Sequence, residues 1–100
     1  MKKDVKALIK RLTLLVQFTK AGKGWIAVDG DGEVFHYTSR PDFEPSGNSE
    51  SLDFWASEDV VCSRISTLDK MPLSMVCPSL TSKDALFYTD GETVWLVEQK

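Results

Sequence analysis

The segment Asp29-Gly30-Asp31-Gly32-Glu33 places three carboxylates close together, as in sites that hold divalent cations. An EF-hand loop holds calcium with side-chain oxygens at alternate positions, so the segment invites comparison with such a loop. Aligned to it, however, the segment puts Ala27 and Thr38 where carboxylate ligands are required. The flanking residues also have the composition of strands rather than helices. The sequence therefore favours a tight turn, with weak incidental cation binding as the alternative.

The other residues with reactive or metal-binding side chains are one histidine, His36, and two cysteines, Cys62 and Cys77. A zinc site would need all three with a carboxylate, and no two of them have the close spacing typical of zinc ligands. A cysteine–histidine nucleophile requires proximity that the sequence does not show, and neither cysteine lies in a recognisable oxyanion loop. We predict reduced, buried cysteines, no metal, no cofactor, no catalytic residue and no enzymatic activity.

Three tryptophans, Trp25, Trp55 and Trp95, each lie in a predicted strand. Proteins that bind single-stranded nucleic acid stack bases on such aromatic residues, but interleave them with lysine and arginine. Here the flanking charges are mostly acidic. Core packing is the favoured interpretation, and a tryptophan left exposed would indicate a contact with another protein.

The composition is that of one folded domain. The chain has 100 residues, of which 42% are hydrophobic and 27% are charged, and its formal net charge is −3. A chain of this length supports one core. No apolar run approaches the ~20 residues that span a bilayer. Lysines and an arginine interrupt the N-terminal segment, unlike the apolar part of a signal peptide. We predict a single cytoplasmic domain, residues 1–100, that does not associate with a membrane.

The charge is distributed unevenly along the chain. Residues 1–24 carry seven basic side chains and one acidic side chain, whereas the remaining residues carry five basic and fourteen acidic ones. The favoured interpretation of this polarity is a solvated basic face on a helix that packs against the core, and the functional alternative is contact with an anionic partner. A nucleic acid backbone, an acidic protein surface and the acidic remainder of a second copy of the chain all fit that description.

Residues 4–20 are predicted to form an amphipathic helix. Apolar residues recur at the three- and four-residue spacing of one helical face, and polar residues occupy the opposite side. Gly22 and Gly24 follow, where helices commonly end in a left-handed residue. The apolar face is formed by Val5, Leu8, Ile9, Leu12, Leu15, Val16 and Thr19.

The rest of the chain alternates strand-like runs with turns. Two runs separated by acidic and glycine residues predict β-hairpins over 25–38 and 85–97. Between them we predict a surface loop over 39–51, a strand over 52–56 and a short helix over 58–68, although the composition of 60–67 is also strand-like. Residues 73–77, between two prolines, fit a short edge strand. The predicted fold is α+β: an N-terminal amphipathic helix packed on an antiparallel sheet of about five strands, plus one short helix.

The segment Trp25-Ile-Ala-Val-Asp-Gly-Asp-Gly-Glu-Val-Phe35, followed by Pro41 and Trp55, resembles a hairpin of small accessory proteins from phages and prophages. It covers about a third of the chain. The resemblance implies a protein that acts by binding a host or phage protein, and it carries no catalytic residue.

The leading functional prediction is therefore a small protein-binding module, with nucleic-acid binding through the basic side of the helix as the alternative, and a homodimer compatible with either. Two sets of partner-binding residues are predicted. The basic helix face contributes Lys3, Lys6 and Lys10. The acidic loop contributes Asp42, Phe43 and Glu44, where Phe43 is an apolar residue in otherwise polar surroundings.

Overall fold

The computed structural model describes residues 2–45, 47, 53–57, 62–68 and 70–97. It consists of an N-terminal helix, a five-stranded antiparallel sheet, a two-stranded sheet and a short second helix, which confirms the predicted α+β architecture. In chain order the elements are α1 (Lys3–Thr19), β1 (Lys23–Val28), β2 (Glu33–Tyr37), β3 (Asp42–Glu44), β4 (Phe54–Ala56), β5 (Cys62–Thr67), α2 (Leu73–Val76), a 3-10 turn (Ser82–Asp84), β6 (Leu86–Asp90) and β7 (Val94–Leu96).

The two predicted hairpins form the centre of the main sheet, whose strand order is β5-β2-β1-β6-β7. The first hairpin pairs β1 with β2, and the second pairs β6 with β7. The hairpins join through an antiparallel pairing of β1 with β6, in which Ile26 lies opposite Phe87. Because side chains alternate along a strand, this arrangement gives the sheet two distinct apolar faces.

Helix α1 covers one of these faces. Its buried residues Val5, Leu8, Leu12 and Val16 share a core with Ile26, Val28, Val34, Phe87 and Val94 of the sheet. Burial stabilises each such side chain by about 1.5–3 kcal/mol relative to exposure. The helix ends at Lys20, which adopts the left-handed conformation with a φ of 54° and is followed by Gly22 with a φ of 84°.

The small sheet covers part of the opposite face. Strand β3 pairs with β4, and Trp55 of β4 packs with Ala27, Tyr37 and Leu86. Three hydrogen bonds fix Trp55: its backbone N–H donates to Asp29 Oδ1 (2.9 Å), its indole Nε1 donates to the Ser82 carbonyl (3.0 Å), and its carbonyl accepts from the Tyr37 hydroxyl (2.9 Å). The two sheets therefore form one packed unit.

Four element predictions require correction. The predicted helix over 58–68 is wrong for 62–67, which form strand β5 paired with β2, while 58–61 lie outside the described residues. The predicted loop over 39–51 contains strand β3, and the predicted strand over 52–56 pairs with it instead of joining the main sheet. Residues 73–76 form the short helix α2 rather than an edge strand. In β5, pairing with an open sheet edge outweighs a helical spacing of apolar residues.

No helix in the described part of the chain has the length and apolar character needed to cross a membrane.

Candidate functional site

The predicted basic residues lie on the outer side of α1. Lys3, Lys6 and Lys10 are exposed, on the side of the helix opposite its buried residues. None of the three forms an ion pair with the residues that the structure describes. The one acidic residue of the helix, Asp4, instead accepts a hydrogen bond at its Oδ2 from the Ser79 backbone N–H (2.9 Å). That hydrogen bond is the main reason why the pKa of Asp4 lies below its ordinary value.

Two apolar side chains that were not among the predicted binding residues extend this basic surface. Leu14 is 59% exposed and Phe18 is 87% exposed. They are four residues apart, so they lie one above the other on the helix. The sequence could have indicated this pair, because two apolar residues four positions apart lie on the side of the helix opposite its core residues. We call Lys3, Lys6, Lys10, Leu14 and Phe18 the outer helix face.

The second predicted set, Asp42, Phe43 and Glu44, forms strand β3. Asp42 and Glu44 are exposed, as expected, but Phe43 is half-buried. Its ring packs edge-on against Trp55 with a centroid distance of 5.3 Å. Phe43 therefore serves the packing of the small sheet, and it is a weaker candidate for partner binding than the sequence suggested.

The acidic turn between β1 and β2 opens onto a groove that the sequence did not predict. Carboxylate oxygens of Asp29, Asp31 and Glu33 lie within 4.8 Å of one another. They form one side of a groove of about 510 Å³, whose walls include Phe35, Tyr37 and Trp55, with Asp53 and Phe54 also lining it. We call this cavity the acidic groove. It lies on the side of the sheet opposite α1, because its β2 residues alternate with the core residue Val34.

Asp29 is the buried member of the groove, with 7% of its surface exposed. Burial raises its pKa to about 6, and the negative charges of Asp31 and Glu33 add to this effect, whereas the N–H of Trp55 opposes it. A buried carboxyl group with a raised pKa in a cavity is a common property of functional sites.

Two of the remaining candidates for chemistry, Cys77 and His36, have buried side chains. Cys77 is buried and free, and burial, together with the nearby charge of Asp4, raises its pKa to about 11. Its thiol is therefore protonated at neutral pH and is not activated as a nucleophile. His36 is buried on β2, with Nε2 3.1 Å from the Gly22 carbonyl. The side chain of Cys62 lies outside the described residues.

The chain has no significant match among protein-family models, curated proteins or solved structures. The resemblance of residues 25–35 to phage-type hairpins thus remains a prediction.

Proposed function

We propose that this protein is a protein-binding module whose outer helix face docks an acidic, partly apolar segment of another protein. The observation that carries the proposal is the exposure of Leu14 and Phe18, aligned on the helix beside three lysines. Large apolar side chains this exposed, flanked by charge, are typical of interaction sites.

The chemistry of the surface indicates the chemistry of the partner. Covering Phe18 and Leu14 would contribute roughly 1.5–3 kcal/mol each, which makes them the natural anchors of an interface. Lys3, Lys6 and Lys10 have no acidic partner among the described residues, so they favour a ligand that carries carboxylates. An amphipathic helix with acidic residues beside two or three apolar ones would satisfy both requirements.

Nucleic-acid binding, the alternative from the sequence, uses the same lysines but gives Leu14 and Phe18 no role. The exposed apolar pair therefore favours a protein. The phage-type resemblance is compatible with such a role, since small accessory proteins of that kind act by binding other proteins.

The test compares capture of partners by matched variants. The chain and its Leu14→Gln/Phe18→Gln and Lys6→Gln/Lys10→Gln variants would be used as bait in nuclease-treated lysate, with quantitative mass spectrometry as the readout. We expect a stoichiometric partner that is lost at least tenfold with either double variant. Calorimetry with the purified partner should show the same loss. Gln is a good helix former, so the variants should stay folded.

Two control variants remove an exposed apolar side chain and exposed lysines outside the outer helix face. Met75→Gln removes an apolar side chain that is 64% exposed on α2, and Lys70→Gln/Lys83→Gln removes two exposed lysines outside α1. Both should retain the partner. Equal capture by the helix variants would overturn the proposal. Partners captured only from lysate without nuclease would also overturn it, in favour of a nucleic acid. Binding of the purified chain to anionic lipid vesicles, lost in the same variants, would overturn it in favour of a lipid phosphate.

A further inference from the structure

A row of three aromatic side chains crosses the face of the main sheet that lies opposite α1. Trp25, Tyr88 and Trp95 occupy paired positions on the neighbouring strands β1, β6 and β7. The ring centroids of Trp25 and Tyr88 lie 5.3 Å apart, and those of Tyr88 and Trp95 lie 6.0 Å apart. Trp95 belongs to the outermost strand and is 48% exposed, while the other two are half-buried. We call these three residues the aromatic row.

The aromatic row differs from Trp55, the tryptophan of the small sheet. Trp55 is buried, and its indole N–H donates to the Ser82 carbonyl. Buried tryptophans usually pair this N–H in that way. The indole N–H groups of Trp25 and Trp95, in contrast, donate to no residue that the structure describes. The core-packing prediction therefore holds for Trp55 and not for Trp95, whose ring and donor are both open to a ligand.

The polar groups of the aromatic row are mainly hydrogen-bond donors. An indole donates only, and the Tyr88 hydroxyl can donate as well as accept. Arg40, whose guanidinium carbon lies 5.5 Å from the Trp25 ring centroid, also donates only. The carboxylate of Asp90, two residues along β6 from Tyr88, already accepts two backbone N–H groups of the following turn. A ligand complementary to this surface is apolar, rich in acceptors and poor in donors.

A proline-rich segment has that chemistry. Proline combines a compact apolar ring with a backbone carbonyl and has no N–H. In the polyproline II conformation the carbonyls form no internal hydrogen bonds, and one turn of three residues spans about 9 Å. Neighbouring strands lie about 4.8 Å apart, so the aromatic row spans about 10 Å from β1 to β7. One turn of the segment therefore matches the row, with prolines three residues apart on the two sides of Tyr88.

Other ligands of aromatic surfaces match the row less well. A single-stranded nucleic acid would bring its phosphates close to Asp90 and Glu92, which are both exposed in the β6–β7 hairpin. The hydroxyl groups of a sugar donate as well as accept, so a sugar requires acceptors that the row supplies only at Tyr88.

We propose that the aromatic row binds a proline-rich segment of a partner protein in the polyproline II conformation. Proline rings would pack between the aromatic rings, as in other aromatic-lined grooves that hold such segments, and the indole N–H groups would donate to the proline carbonyls. The row lies on the opposite side of the main sheet from the outer helix face. It therefore adds a second class of ligand to the proposed function.

The test uses an acetylated and amidated peptide of about ten prolines, followed by NMR of the three tryptophan indole N–H signals. We expect saturable shifts of the Trp25 and Trp95 signals, while the signal of Trp55, whose N–H is bonded to Ser82, stays unchanged. A glycine–serine peptide of the same length lacks the proline rings and should cause no shift. Equal shifts of all three signals, or no shift with the proline peptide, would overturn the site.

Two variants separate the ring of Trp95 from its donor. Trp95→Thr removes both and should weaken the proline peptide at least about tenfold. Trp95→Phe keeps a ring without the N–H and should weaken it about threefold. Trp95 is half exposed, and threonine and phenylalanine both suit strands, so the variants should fold. The matched control, Phe54→Thr, removes an aromatic side chain that is 46% exposed in β4, and it should leave the affinity unchanged.

Equal losses of affinity in Phe54→Thr and Trp95→Thr would contradict the assignment to the aromatic row. An oligothymidylate or cellohexaose that shifts the same indole signals at lower concentration than the proline peptide would assign the row to a nucleic acid or a sugar instead. Shifts that follow the concentration of the protein alone would replace the proline segment with a second copy of the chain.

Discussion

At the scale of single residues, Asp29 links folding to the candidate groove. Its carboxylate accepts the Trp55 N–H and so helps attach the small sheet to the main one, yet burial makes its charge unfavourable. A hydrogen-bonded but neutral side chain would serve the packing better.

We predict that Asp29→Asn stabilises the protein at neutral pH. The pKa of the Asp29 carboxyl is about 3.9 in the unfolded chain and about 6 in the folded one. Between about pH 4 and pH 6 the native state therefore binds a proton that the unfolded state has released. Stability contributed by this group is thus lost as pH rises from about 4 to 6. The amide oxygen of asparagine can still accept the Trp55 N–H.

The measurement is urea unfolding from pH 4 to 8 at constant ionic strength. We expect the variant to match the native chain near pH 4 and to exceed its free energy of unfolding by about 1–3 kcal/mol above pH 7. Asp31, Glu33, Asp53 and Arg64 surround the groove and remain in both proteins. Parallel pH profiles for the two proteins would contradict the prediction.

At the scale of elements, the turn between β1 and β2 does more than reverse the chain, because its backbone also bonds to three other segments. The Gly30 N–H donates to the Asp53 carbonyl (2.8 Å), the Leu68 N–H donates to the Gly32 carbonyl (2.8 Å), and the Leu73 N–H donates to the Gly30 carbonyl (3.0 Å). The turn therefore positions the approach to β4, the end of β5 and the start of α2. This local geometry holds the acidic groove in place.

Gly32→Ala should be strongly destabilising. Gly32 has a φ of 90°, and a Cβ there would collide with the Met71 carbonyl oxygen. We expect a loss of more than about 2–3 kcal/mol in the free energy of unfolding, from the strained conformation together with displacement of the segment after β5. Thermal and urea unfolding would measure it.

Gly22→Ala is the matched control for that change. Gly22 has a similar φ of 84°, but a Cβ there would meet nothing within 4 Å. It should cost about 1 kcal/mol, the conformational part alone. Equal losses for the two variants would show that the contact with Met71 has no energetic importance.

At the scale of the whole molecule, the main sheet separates two surfaces of opposite charge. Helix α1, with its lysines, covers one face, and the acidic groove opens on the other. The division of charge seen along the sequence thus becomes a division in space.

We predict that the two surfaces act independently. Asp31→Asn, in the acidic groove, should bind the partner of the outer helix face as the native chain does. Effects of distant sites without shared contacts usually add within about 0.3–0.5 kcal/mol. Calorimetry with the purified partner would check this, and a difference in binding free energy larger than about 1 kcal/mol between the two proteins would contradict it.

The sequence by itself determined the elements whose signals are local. The helix at Lys3–Thr19 follows from the spacing of its apolar residues, and the two hairpins follow from strand-like runs around glycine turns. The lysines of the outer helix face were also predictable, since they occupy the side away from the core stripe. Leu14 and Phe18 belonged to the same pattern and were overlooked.

Only the tertiary structure decided the rest, because the deciding interactions are between distant residues. Residues 62–67 became strand β5 because the edge of β2 was available for pairing. The acidic groove exists because the small sheet places Trp55 over the face of β2, 26 residues from its hydrogen-bond partner Asp29. No local pattern encodes such a contact, so the turn residues were predictable while the cavity they line was not.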